Sequence, residues 1–171
     1  MEMRGERQIE ASRETVWAAL TNAEVLKECV PGAQELTGTP DEGFEATVVQ
    51  KVGPVKATFR GVVTFSEMVA PEKLTLSGEG KGGAAGFAKG NAAVTLTETE
   101  GGTLLGYAVE AKVGGKLAQL GSRIVDGFAK KMADQFFARL EEAIEGPKEQ
   151  DEAPEASKKA KKKGWFKRLI S

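Results

Sequence analysis

Between residues 34 and 113 apolar side chains recur at every second position, and this long run of period two limits the possible folds more than any other feature of the chain. Alternation of this kind marks strands with one buried and one wet face. Turn signals at Pro40-Asp41-Glu42-Gly43, Gly53-Pro54, Ala70-Pro71-Glu72, Gly82-Gly83 and Glu100-Gly101-Gly102 cut the run into six consecutive strands. One parity is apolar, as in Val55, Ala57, Phe59, Gly61, Val63 and Phe65, or in Leu105, Tyr107, Val109, Ala111 and Val113, while the other is mostly Glu, Lys, Thr and Arg. A one-sided meander has to cover something. The following segment supplies it: Leu117, Leu120, Ile124, Phe128, Met132, Phe136, Leu140 and Ile144 recur every three or four residues. That spacing predicts a helix of about 28 residues, roughly 40 Å long, stopped by Gly146-Pro147.

Ahead of the meander, residues 3–9 alternate weakly and read as an edge strand. Ser12 caps a short helix with Val16, Trp17 and Leu20 on one side, Thr21-Asn22 opens a second through Val25 and Leu26, and Cys29-Val30-Pro31-Gly32 ends it. The expected architecture is α+β of the helix-grip kind. A curved antiparallel sheet of about six to seven strands wraps on a long C-terminal helix, with two short helices after the first strand.

Composition then removes chemistries. The 171 residues include no histidine and one cysteine, so imidazole relays, His metal sites, Cys zinc cages and an internal disulfide are excluded, and no metal site is expected. The first residues carry no apolar stretch behind a basic region and no run is long and apolar enough to span a bilayer, so the expected location is the cytoplasm.

The net charge of −1 averages three unlike segments: residues 1–146 carry −5, residues 147–157 carry −3, and residues 158–171 carry +7. The chain therefore divides into a globular domain (1–146), an acidic linker without large apolar residues that reads as disordered (147–157), and a basic end (158–171). In that end Trp165, Phe166, Leu169 and Ile170 fall on one arc if helical, flanked by Lys158, Lys159, Lys161, Lys162, Lys163, Lys167 and Arg168. A basic amphipathic end suits an anionic bilayer, which predicts peripheral attachment to the inner face of the cell membrane. Nucleic acid is not expected as a partner, because the body is acidic and shows no second basic face.

Small residues stand where a packed sheet would want bulk: Gly61, Gly78, Gly80, Ala88, Gly90 and Ala92. A long helix laid over them either approaches closely or leaves a hollow. The hollow is the favoured reading, lined by Phe59, Gly61, Val63, Ala92, Val94, Tyr107, Val109, Leu120, Ile124, Phe128 and Met132, a wall suited to a hydrophobic small molecule. The alternative is that these residues are the core and the glycines serve bulges, and spacing does not decide between them. Gly121 and Gly127 each cost the predicted helix about 1 kcal/mol relative to alanine, which fits close packing or a first half loosened as a gate.

Apparent motifs fall away. Gly78-Glu79-Gly80-Lys81-Gly82-Gly83 is followed by a strand, not the helix that would hold a pyrophosphate, and Leu117 after Gly114-Gly115-Lys116 replaces the hydroxyl residue of a phosphate loop. Cys29 has no base near it in sequence and reads as a small buried residue. No catalytic constellation survives.

Further residues carry a resemblance: Val16-Trp17-Ala18-Ala19-Leu20, Cys29-Val30-Pro31-Gly32-Ala33, Lys51-Val52-Gly53-Pro54-Val55, Phe59-Arg60-Gly61, Gly78-Glu79-Gly80, Gly86-Phe87-Ala88-Lys89-Gly90, Gly102-Thr103 with Tyr107, Gln135-Phe136-Phe137, and above all residues 113–123. Over residues 1 to about 145 the chain resembles the carbon monoxide dehydrogenase G-subunit (CoxG) family of the START-like, polyketide cyclase-like (SRPBCC) superfamily. The resemblance implies a helix-grip fold with an apolar cavity and an accessory role beside a carbon monoxide dehydrogenase-type molybdenum hydroxylase, including its recruitment to the membrane. It implies no covalent or metal cofactor. Joined to the tail, it suggests a carrier that holds a quinone (menaquinone or ubiquinone) or a lipid and links its partner to the respiratory chain. Two rivals stay open: a START-like cyclase or hydrolase using Arg60, Tyr107, Glu110 and Arg123, with Arg60 and Glu110 expected to face water, and a scaffold whose cavity is filled by its own side chains.

Overall fold

The computed structural model describes residues 1–145. The tail residues singled out above, Lys158 to Ile170, and the linker lie outside the described residues. In chain order the elements are β1 (Glu2–Ile9), α1 (Arg13–Leu20), α2 (Ala23–Cys29), β2 (Ala33–Thr39), β3 (Gly43–Val52), β4 (Val55–Val69), β5 (Lys73–Lys81), β6 (Phe87–Thr99), β7 (Gly102–Gly114), α3 (Lys116–Gln119) and α4 (Ser122–Glu145). The strands form one antiparallel sheet in the order β1-β7-β6-β5-β4-β3-β2. It is a meander from β2 to β7, with β1 added beside β7 as the expected edge strand, and it does not close. The helix-grip architecture and all six meander strands match the expectation from periodicity.

Local chemistry places the short helices. Ser12 accepts a hydrogen bond from the Thr15 N–H at 3.2 Å, and Asn22 Oδ1 accepts one from Val25 at 3.0 Å, so both first turns are capped by side chains. Their apolar faces bury Val16, Leu20, Val25 and Cys29 with Ile9, Leu74, Leu96 and Leu105 from the sheet and Phe137, Leu140, Ala143 and Ile144 from α4. Every buried residue of α4 lies in its second half. The core therefore occupies one end of the sheet, and the first half of α4 spans the other end without one.

The predicted single helix is broken. Gly121 adopts φ +92°, a left-handed conformation that stops α3 after one turn and lets α4 start afresh at Ser122. The two glycines that look equivalent in sequence therefore respond oppositely to alanine. Gly121→Ala places a Cβ in the left-handed region and is expected to cost about 1 kcal/mol, whereas Gly127→Ala, inside α4 with open space where the new Cβ would sit, is expected to stabilise by about 0.5–1 kcal/mol. Urea melts of the two variants check this directly.

α4 is clamped to β1 by charge. Arg7 reaches Asp134 at 3.2 Å and Glu141 at 3.4 Å, and its guanidinium lies 5.7 Å from the centre of the Phe137 ring. These groups are half-exposed, so each ion pair contributes well under about 1 kcal/mol, and their effect is to fix where the helix crosses the strand.

Candidate functional site

Between the first half of α4 and the sheet lies a cavity of about 530 Å³. Its existence follows from side-chain size. Opposite the second half of α4 the sheet offers Leu74 and Leu96, which fill the space, with Val94 and Leu105 at the boundary; toward the first half three alanines, Ala88, Ala92 and Ala111, interrupt the larger side chains. Val125, Phe128, Ala129, Met132, Ala133 and Phe136 form the roof, Leu20, Leu105 and Phe137 the deep end, and Val30, Pro31, Val52, Val113 and Leu117 the end near α3. A second, more open hollow of about 420 Å³ adjoins it along the sheet, reaching Gly61, Val63, Gly78 and Gly80 and sharing Val48, Phe59, Leu76, Ala88, Ala92, Val109 and Ala111 with the first.

The two readings of the glycines both hold, at different positions. A Cβ on Gly61 or Gly90 would collide with the carbonyl oxygen of Glu79 or Glu110, so these serve close strand approach. At Gly80 the nearest atom to an added Cβ lies 3.8 Å away, so the missing side chain leaves space instead, while at Gly78 the Val63 side chain, 3.3 Å away, would have to give slightly.

Of the residues predicted to line a hollow, Phe59, Ala92, Val94, Tyr107, Val109, Phe128 and Met132 stand in the main cavity wall, and Gly61 and Val63 line the adjoining hollow. Leu120 and Ile124 do not line either. They lie over the β3–β4 turn, where a Cβ on Gly53 would be 3.6 Å from Ile124 and 3.9 Å from Leu120. The break at Gly121 shifts the helical phase, so Val125 takes the place that Ile124 was expected to hold.

Two polar side chains stand in the cavity wall, and sequence reasoning missed one of them. Gln50 sits on the inward parity of β3, and its Nε2 donates a hydrogen bond to the Pro31 carbonyl oxygen, tying the end of α2 to the sheet. The signal was a single polar residue among alternating apolar ones. Tyr107 stacks on Phe137 with ring centres 4.8 Å apart at 24°, lies across Gly5 where a Cβ would overlap it, and makes no side-chain hydrogen bond among the described residues. Neither group is charged, and no Asp, Glu, Lys or Arg stands in the wall of the larger cavity.

The four side chains of the enzyme reading do not converge. Arg60, Glu110 and Arg123 are exposed, the first two facing water as their parity predicts, and Tyr107 alone reaches the cavity. Among the described residues no three of His, Cys, Asp and Glu group as metal ligands, and no helix is long and apolar enough to cross a membrane. Cys29 is fully buried. Burial pushes its thiol up to about 12, with the Glu28 charge adding to the rise and Arg139 opposing it. At pH 8 the folded protein then holds about 1,000-fold less thiolate than a cysteine at the ordinary value of 9.0, so alkylation is expected to be negligible until denaturant is added, as a thiol titration checks.

The family pattern described as the carbon monoxide dehydrogenase G-subunit (CoxG) matches residues 5–145. Among solved structures, a conserved protein from Geobacillus kaustophilus superposes with a TM-score of 0.77 at 26% identity, covering 83% of this chain and 93% of that one. An uncharacterised protein from Rhizobium leguminosarum shares the fold at TM-score 0.65 and 15% identity, over 82% of this chain and 91% of that one. A Thermus thermophilus protein does so at 0.61 and 16%, over 83% and 95%. Comparison with curated proteins gives no match.

Proposed function

Because the chain belongs to the CoxG family of carbon monoxide dehydrogenase accessory proteins, we propose that it serves a carbon monoxide dehydrogenase-type molybdenum hydroxylase as a non-catalytic accessory that carries a hydrophobic small molecule, a quinone being the best fit, beneath α4. The observation that carries this reading is the cavity of about 530 Å³ with no charged side chain in its wall. Protein interiors are close-packed, and a hollow of this size falls within the range of about 300–1,000 Å³ typical of ligand sites. An apolar wall with one amide and one phenol suits a ligand that is mostly hydrocarbon with few oxygen atoms. Menaquinone and ubiquinone both answer that description.

The ligand needs a membrane source, and residues 158–171, with +7 and Trp165-Phe166-x-x-Leu169-Ile170, supply the attachment. In this reading the protein brings its partner to the inner membrane face and passes electrons toward the respiratory chain through the bound quinone. Vesicle flotation tests the attachment: the full chain is expected to float with anionic vesicles, and a chain ending at Gly146 to float far less. Mixing the partner enzyme with quinone-bearing vesicles tests the carrier role. Carbon monoxide-driven quinone reduction is expected to rise on adding the full chain, and no rise would refute the reading.

A further inference from the structure

An up-and-down meander places alternate turns at opposite poles of the sheet, and here the charges segregate with the turns. At the pole where α3 and α4 begin lie the β3–β4 hairpin (50–58), the β5–β6 connection (81–88) and the stretch from the end of β7 into α4 (112–125). These hold Lys51, Lys56, Lys81, Lys112, Lys116 and Arg123, all exposed, and no Asp or Glu; Glu79, Glu110 and Asp126 stand just outside. None of the six cations has an ion pair among the described residues. At the opposite pole the β2–β3, β4–β5 and β6–β7 turns (39–45, 66–73, 97–103) hold seven acids against Lys73. The body's −5 thus conceals a basic face, contrary to the expectation drawn from net charge.

The basic pole also exposes two large apolar side chains, Ile124 near the mouth of the cavity and Phe87 on the outer face of the sheet over Gly114; the acidic pole exposes Met68 and Val69, but among acids that an anionic surface would repel. Phe87 is 40% exposed and Ile124 is 41% exposed, and Val52, Val113, Leu117 and Val125 at the same end of the sheet belong to the cavity wall. We propose that this pole is a docking surface for an anionic lipid bilayer, with Phe87 and Ile124 entering the headgroup boundary and the six cations against lipid phosphates. The charge complementarity fits a lipid surface, and the reach of the chain agrees. α4 carries its 24 residues about 36 Å to the acidic pole, and residues 146–157 extend at most about 40 Å, enough to return the basic end to the plane of the basic pole. Docking there points the α3 end of the cavity at the lipid. It deepens the carrier reading, on which its purpose rests, although the docking itself does not depend on what the cavity holds.

The test uses the full chain with one added cysteine at a time, Ile124→Cys at the basic pole or Glu42→Cys at the acidic pole, carrying a polarity-sensitive fluorophore while buried Cys29 stays unlabelled. With vesicles containing phosphatidylglycerol, the label at 124 is expected to shift to the blue and brighten and the label at 42 to stay aqueous. Neutral phosphatidylcholine vesicles are expected to give no shift. Lys51→Gln together with Lys116→Gln is expected to lower the docked-to-undocked ratio about 25-fold, at about fivefold per charge removed, abolishing the shift at 124 while flotation persists. A label at 124 that stays aqueous while the chain floats, equal shifts at 124 and 42, equal shifts with neutral vesicles, or a shift at 124 produced only by the partner enzyme would each overturn the proposal.

Discussion

Leu140→Ala is expected to destabilise the protein by about 3–5 kcal/mol and lower its melting temperature by about 10 °C or more, whereas Met132→Ala, two turns earlier on the same helix, is expected to cost under about 1 kcal/mol. The asymmetry follows from what each side chain touches. Leu140 is 0% exposed in the cluster with Ile9, Leu105 and Ile144, so its removal leaves a cavity in close-packed surroundings. Met132 already borders open space and loses few contacts. Thermal melts of the two variants separate a helix that is core along its whole length from one that is core in its second half and roof in its first. Equal losses would mean that the hollow is packed in solution.

The second large effect is on binding. Ala92 lies on β6 between Leu76 and Val109 and borders both hollows, so Ala92→Phe projects a ring into the space where they join. Affinity for a prenylquinone is expected to fall at least about 100-fold, equivalent to roughly 2.7 kcal/mol. Stability is expected to change little, because the new ring fills space already present. Ala93→Phe, at the neighbouring exposed position of opposite parity on β6, which lines neither hollow, is the control and is expected to bind normally. Quenching of the protein's intrinsic fluorescence by titrated quinone reads both variants. Undiminished binding by Ala92→Phe would remove the ligand from this cavity.

Much of this architecture was legible from periodicity because burial imposes it. Each strand of the meander has one wet face, so period two survives along it, and Ser12 and Asn22 announce the helices they cap. The candidate wall was legible for the sheet, where parity alone decides which residues face inward. It was less so for the helix, where a single left-handed residue, Gly121, turns the following face and exchanges Ile124 for Val125. Gln50 escaped notice because an amide on an apolar parity looks like an interruption until its partner, the Pro31 carbonyl oxygen, is brought beside it by the fold. The basic pole escaped for another reason: a net charge sums over turns that the meander sends to opposite ends, and the sum erases the arrangement.

The space beneath α4 is proposed to receive an apolar ligand from a membrane. Native mass spectrometry of the full chain after mixing with vesicles that contain menaquinone tests it most directly. One quinone is expected to bind per chain, and none to bind Ala92→Phe. A chain that remains free of any quinone or lipid after that exposure contradicts the proposal.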